Sequence, residues 1–208
     1  MSDDLIFYTN PMSRGRIVRW MLEEVGEPYQ TQVLDYATTL KSPEYLAVNP
    51  MGKVPAIKHG DTVVTEGAAI CAYLADAFPQ NGLAPPPGDK RRGTYYRWLF
   101  FGAGPVEQAT GIRALGFEIK PEQKRMMGFG DMADTLNAME SAITGRDFVL
   151  GDAFSAADVY FGSQVSWGLQ FGSIEKRPAF LAYAERLHAR PAYKRATEID
   201  DRLMAASA

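Results

Sequence analysis

Gln80 to Asp89 reads Gln-Asn-Gly-Leu-Ala-Pro-Pro-Pro-Gly-Asp, and it constrains the fold more than any other stretch. Three successive prolines have no N–H to donate, and two glycines flank them, so neither a helix nor a sheet ladder can continue through. Before it lie short apolar runs punctuated by turn residues. After it apolar residues recur at helical spacing, and no strand pattern is convincing. The chain has 208 residues, enough for two modest domains. The expected division is a first domain over 1–80, a linker over 81–89 and a second domain over 90–208.

Leu5-Ile6-Phe7-Tyr8 is an apolar run fit for a strand buried on both faces. After the loop Thr9 to Ser13, Ile17, Val18, Met21, Leu22 and Val25 share one helical face, and Gly26 and Pro28 stop that helix. Tyr29 to Leu34 is a second strand, which makes the opening a βαβ unit with a parallel pair. Ser42-Pro43-Glu44 sets a capping hydroxyl, a proline at the first helical position and an acid in the first turn of a short helix to Val48. Val54 to His59 and Thr62 to Thr65 are antiparallel strands joined at Gly60-Asp61. A helix from Glu66 turns Ile70, Tyr73, Leu74, Ala77 and Phe78 inward and ends before Pro79. The order βαβαββα predicts a small mixed sheet with helices on its faces, the thioredoxin-like plan.

The second half predicts an all-α bundle, so the fold class is α+β. Arg91 to Leu115 is a long helix with an aromatic cluster, interrupted and kinked at Gly102, Gly104 and Pro105. Pro121 to Ile143 is a further helix, with glycines near its start. Ser155 and Asp158 form a capping box, with Phe154 and Val159 spaced as a hydrophobic staple. The helix beyond, through Trp167 and Phe171, is apolar nearly all round and suits the centre of the bundle. Pro178 to Arg190 and Pro191 to Leu203 complete it.

A net charge of −3 gives no argument for nucleic acid or an anionic membrane. No apolar run reaches the length of a span, and Met1-Ser2-Asp3-Asp4 lacks the basic start of a secretory signal. Cys71 is the only cysteine, which excludes an internal disulfide and Cys-x-x-Cys chemistry and suggests a reducing, cytoplasmic setting. It lies in an apolar helix and reads as inert core. His59 and His188 have no metal-ligand companion at useful spacing, so no metal is expected.

Asn49-Pro50-Met51-Gly52-Lys53-Val54-Pro55 followed by Thr65-Glu66-Gly67 brings an awkward turn beside a helix N-terminus. Pro55 cannot donate, which leaves the Val54 N–H and C=O on offer to an extended peptide. The helix N-terminus suits a carboxylate. Together they make a cradle for a small anionic peptide.

These segments, with Ser42-Pro43-Glu44-Tyr45-Leu46 and Gly151-Asp152-Ala153-Phe154-Ser155-Ala156-Ala157-Asp158, resemble the cytosolic glutathione transferase family in order and spacing over nearly the whole chain. The resemblance implies glutathione as co-substrate, a small hydrophobic electrophile and a homodimer. It implies that the Val54 main chain pairs with the cysteinyl part of glutathione, with Pro55 after a cis bond, and that Glu66 and its helix hold the γ-glutamyl end. Lys41 and Lys53 match positions that bind the glycyl carboxylate or nearby backbone. The family usually carries Ser after its Glu66 equivalent; here Gly67 keeps the N–H and loses the hydroxyl.

The chemistry needs the glutathione sulfur as thiolate, which a donor to the sulfur would favour. Family members use Tyr, Ser or Cys after the first strand. Ser13 ranks narrowly first, though it needs a one-residue shift in alignment, with Tyr8 next and Asn10 third. Read without the family, Ser13 is a helix cap, Tyr8 a half-buried strand aromatic, and Lys41 and Lys53 solvated charges. Phe101, Pro105 and Trp167 are the expected lining of an electrophile pocket. A non-catalytic binding protein of the same fold, and glutathione-dependent peroxide or disulfide reduction, are the competing readings.

Overall fold

The computed structural model describes residues 4–206; Met1 to Asp3, part of the acidic start noted above, lie outside them. Contacts group the described residues into two compact units, one up to Asn81 together with everything from Arg190 on, the other Gly82–Ala189.

The first unit holds a four-stranded sheet in the order β2-β1-β3-β4. β1 (Leu5–Thr9) pairs in parallel with β2 (Gln30–Val33) and antiparallel with β3 (Ala56–His59), which pairs antiparallel with β4 (Thr62–Thr65). α1 (Gly15–Val25) and α3 (Gly67–Ala77) pack on each other and on the sheet, with Ile17, Met21, Leu22, Ile70 and Leu74 buried. α2 is a single turn, Pro43–Leu46, shorter than the expected run to Val48; the Ser42 Oγ caps it by accepting from the Tyr45 N–H. The βαβαββα order and the parallel opening pair are as expected. Cys71 is fully buried on α3, and burial pushes its thiol up, so it is core.

One element falls elsewhere than expected. Helix α9 (Pro191–Ala206) follows the helical half in sequence, yet it packs along α1 in the first unit. Charge explains this. Arg16 pairs with Asp201, Arg19 with Asp200, Glu23 with Arg195 and Glu24 with Arg190, so one face of α1 meets complementary charges on α9 and the residue before it. The Trp20 ring stands edge-on to Tyr193 at 5.0 Å.

The second unit is all helix save for one isolated β-bridge, Phe148 to Gly151, among the described residues. α4 (Arg91–Phe101) runs into a π-helical turn over Gly102–Val106 and on into α5 (Glu107–Ala114), so the expected interruption is a widened turn. Gly102 lets the turn pass close to Tyr160: a Cβ there would stand 3.1 Å from its ring, which would have to give by a few tenths of an ångström. The expected helix from Pro121 is corrected. Pro121–Met126 is a short 3₁₀ stretch, and α6 (Met132–Ile143) starts only after Gly130 takes φ +70 and the Asp131 side chain caps the Asp134 N–H.

α7 (Ala156–Phe171) is the buried centre, with α8 (Pro178–His188) beside it. The capping box is present. Asp158, fully buried, accepts from the Ser155 N–H and Oγ, the Val149 N–H and the Tyr183 hydroxyl. Phe154, the expected staple residue, stacks edge-on against Phe148 at 5.4 Å.

Candidate functional site

Register explains why distant residues meet. Tyr8 stands opposite Ala56 and Ala56 opposite Thr65, one row across three strands. The loop after β1, the Lys53-Val54-Pro55 lead into β3 and Glu66 after β4 therefore open from one end of the sheet. That is the end where β1 and β2 finish, the usual ligand end of an open α/β sheet.

The first part of this edge is a locked loop. The Asn10 Nδ2 donates to the Leu34 carbonyl at 2.8 Å, while its Oδ1 accepts from the Met12 N–H at 2.9 Å. The Ser13 Oγ donates to the Asn10 carbonyl at 2.6 Å and accepts from the Gly15 N–H at 2.9 Å. α1 opens at Gly15 with Arg14 at the position before it; the Ser13 Oγ, one residue earlier, takes the Gly15 N–H, a first-turn donor of the helix. Gly15 is needed there because the buried Thr9 hydroxyl would lie 2.0 Å from a Cβ. Tyr8 is buried in a cluster with Leu34, Leu40, Tyr45 and Ala56, against which Val54 packs, and its ring is 5.6 Å from that of Tyr45.

The second part is the turn before β3. The Val54-Pro55 bond is cis, as the resemblance implied. Among the described residues the Val54 N–H and C=O have no hydrogen-bonding partner. The turn is held from behind. The Lys41 Nζ donates to the Met51 carbonyl at 2.7 Å, the Asn49 Oδ1 accepts from the Met51 N–H at 3.0 Å, and the Gly52 N–H donates to the Asn49 carbonyl at 2.7 Å. Gly52 has φ +54, and a Cβ would strike Lys41 at under 3 Å. Lys53 is exposed at the tip, with its carbonyl turned back to accept from the Tyr45 hydroxyl at 2.5 Å and the Asn49 Nδ2 at 2.8 Å.

The third part is the start of α3. Glu66 precedes it at φ +68, ψ +117, the one non-glycine residue with positive φ among those described. Such a conformation costs about 1–3 kcal/mol and persists where the surroundings impose it. The Glu66 carbonyl accepts from the Ile70 N–H at 2.9 Å, and its carboxylate is exposed. No side chain caps α3, so the N–H groups of its first turn ahead of Ile70 have no side-chain acceptor, a setting for an anion.

Of the predicted residues, Tyr8, Asn10, Ser13, Val54, Pro55, Glu66 and Gly67 thus share one sheet end, with Lys41 and Lys53 on the turn beside it. Phe101, Pro105 and Trp167 belong to the second unit: Phe101 ends α4, Pro105 lies in the π turn and Trp167 is on α7, all half-buried. A cavity of about 330 Å³ bordered by Arg146, Asp147, Asp152, Tyr183 and Arg186 contains none of the candidate residues. Sequence reasoning missed Tyr45 and Asn49. The available signal was a tyrosine on an apolar helical turn, since a buried Tyr hydroxyl needs a partner.

The comparisons fit this geometry. Residues 12–77 match the model of the glutathione S-transferase N-terminal domain. A glutathione S-transferase of Escherichia coli O157:H7, GstA, is 30% identical over 164 residues, covering 78% of each chain. Among solved structures, a glutathione transferase from Methylococcus capsulatus superposes with a TM-score of 0.79 at 29% identity, covering 95% of this chain and 98% of its own. A sphingomonad glutathione S-transferase complexed with glutathione gives 0.75 at 29% identity, over 94% and 98%. The chain belongs to the glutathione S-transferase family.

Proposed function

We propose that the protein is a glutathione transferase that binds glutathione at the sheet end described above and presents its thiolate to a small hydrophobic electrophile. The observation that carries this is the coincidence, on one edge, of an unpartnered Val54 main chain with an uncapped helix N-terminus headed by Glu66. The main chain of the cysteinyl residue would pair with Val54, and the γ-glutamyl end would lie at Glu66 and the Gly67 N–H. The glycyl carboxylate would lie within reach of Lys53, with Lys41 holding the turn through Met51.

Ser13 is the proposed donor to the sulfur. Its hydroxyl rests on the neutral Asn10 carbonyl, and its oxygen accepts from the Gly15 N–H, which polarises the O–H. A thiolate is the stronger acceptor, and charge-assisted bonds are roughly twice as strong as neutral ones, so the proton would turn to sulfur when glutathione binds. Tyr8 is the less accessible alternative, buried against Tyr45, and Asn10 is committed to latching its loop to Leu34. Phe101, Pro105 and Trp167 are proposed to line the electrophile pocket. A homodimer in the cytoplasm completes the proposal; the lone, buried Cys71 suits a reducing compartment.

The test is retention on immobilised glutathione and thermal stabilisation by millimolar glutathione, followed by turnover with a panel of aryl halides, hydroperoxides and mixed disulfides. Absence of both binding signals would refute the proposal. Ser13→Ala should raise the pKa of the bound thiol, read from thiolate ultraviolet absorbance against pH, while Tyr8→Phe should leave it in place.

A further inference from the structure

We infer that Tyr45, with Asn49 beside it, is a positioning residue that aims the Val54 N–H at the ligand. The inference rests on the glutathione site proposed above and adds a residue to it. Lys53 C=O and Val54 N–H belong to one planar peptide unit, which is trans, so the two groups point in opposite directions. Two donors converge on that carbonyl from the protein side, the Tyr45 hydroxyl at 2.5 Å and the Asn49 Nδ2 at 2.8 Å. Whatever holds the carbonyl inward holds the N–H outward.

Tyr45 is built for this. Its backbone is fixed by the Ser42 cap, and its ring is 3% exposed and packed at 5.6 Å from Tyr8. Burial pushes the phenol up to about 12, so it remains a donor at any working pH. Asn49 is also buried, and its backbone N–H donates to the Tyr45 carbonyl at 2.8 Å, which ties the two donors into one strut.

The experiment compares wild type, Tyr45→Phe and Tyr45→Leu for glutathione affinity by calorimetry, for KM and kcat, and for the Val54 amide resonance in labelled protein. Tyr45→Phe keeps the ring and removes one of two hydrogen bonds to the Lys53 carbonyl. It should raise Kd and KM for glutathione about three- to tenfold, with kcat at saturation and the electrophile KM unchanged. The Val54 amide should shift on glutathione addition in wild type and shift less in Tyr45→Phe. If wild type binds and Tyr45→Phe binds equally well while Tyr45→Leu is damaged, Tyr45 is only packing and the inference is overturned. A fall in kcat with KM unchanged overturns it too. If wild type itself shows no glutathione binding, the parent proposal falls and takes this inference with it.

Discussion

The buried pair Arg19–Asp200 offers the sharpest test of how the first unit is held together. Both side chains are 1% exposed, and the Arg19 Nε donates to the Asp200 Oδ1 at 3.2 Å. Asp200→Ala would leave a guanidinium inside the protein with its other partners, the Tyr29 hydroxyl at 3.0 Å, the Thr31 hydroxyl at 2.8 Å and the Phe7 ring at 4.9 Å. Removing one member of a buried pair costs about 3–5 kcal/mol, and the retained partners argue for the lower end, about 3 kcal/mol. With a urea m-value of about 2 kcal/mol/M, the midpoint should fall by about 1.5 M. The control is the next residue: Asp201, 54% exposed, pairs with Arg16, 24% exposed, and Asp201→Ala should cost about 0.5 kcal/mol. Trp20, edge-on to Tyr193, reports the α1–α9 contact by fluorescence once Trp98 and Trp167 are replaced by Phe. Arg19→Met combined with Asp200→Leu should recover most of the loss, because apolar packing replaces a desolvated pair. Equal small effects of Asp200→Ala and Asp201→Ala would refute the reasoning.

Three further outcomes are expected. Desolvation outweighs four donated hydrogen bonds and pushes Asp158 up to about 6. The folded state then binds a proton that the unfolded chain releases near pH 4, so this contribution is full below about pH 4 and lost as pH rises through 6. Urea midpoints at pH 4.5 and 7.5 should show this decline in wild type relative to Asp158→Asn, and a constant difference would count against it. Glu66→Gly should relieve the strain at φ +68 and raise stability by about 1 kcal/mol in thermal unfolding, while weakening glutathione binding. Gly67→Ser would place a hydroxyl where the proposed site receives the γ-glutamyl end, and it should tighten glutathione binding by about three- to tenfold in calorimetry.

Much of the fold was legible because local signals agreed with it. The alternation of apolar runs with Gly-Asp and Pro turns marked the strands, and Ser42-Pro43 and Ser155-x-x-Asp158 marked two helix starts through capping chemistry that needs no tertiary information. The errors lie where chain order and local pattern were poor guides to contact. α9 resembles any amphipathic helix in sequence; the matching charges on α1, more than 160 residues away, and the Trp20–Tyr193 ring contact assign it to the sheet-bearing unit. The 121–143 stretch has helix-forming residues on both sides of Gly128 and Gly130, and the decisive event is that Gly130 turns left-handed, followed by the Asp131 cap.

The site divides the same way. The local geometry at Val54-Pro55 and at Glu66 was readable because it rests on the main chain: a residue before proline and a helix start behave alike in many sequences. The donor to the sulfur was not readable, because Ser13, Asn10 and Tyr8 all carry suitable atoms and differ in where those atoms are already spent. Asn10 is closed on Leu34 and Met12, Ser13 on Asn10 and Gly15, and Tyr8 is packed into the cluster around Tyr45. Tyr45 was hidden for a related reason: its sequence setting is that of a core aromatic, and only the Lys53 carbonyl 2.5 Å from its hydroxyl gives it a task. On the reading proposed above, a glutathione site on this edge would depend on side chains that do not touch the ligand. By holding the Lys53 carbonyl, Tyr45 and Asn49 would keep the Val54 N–H at the other end of that peptide turned outward.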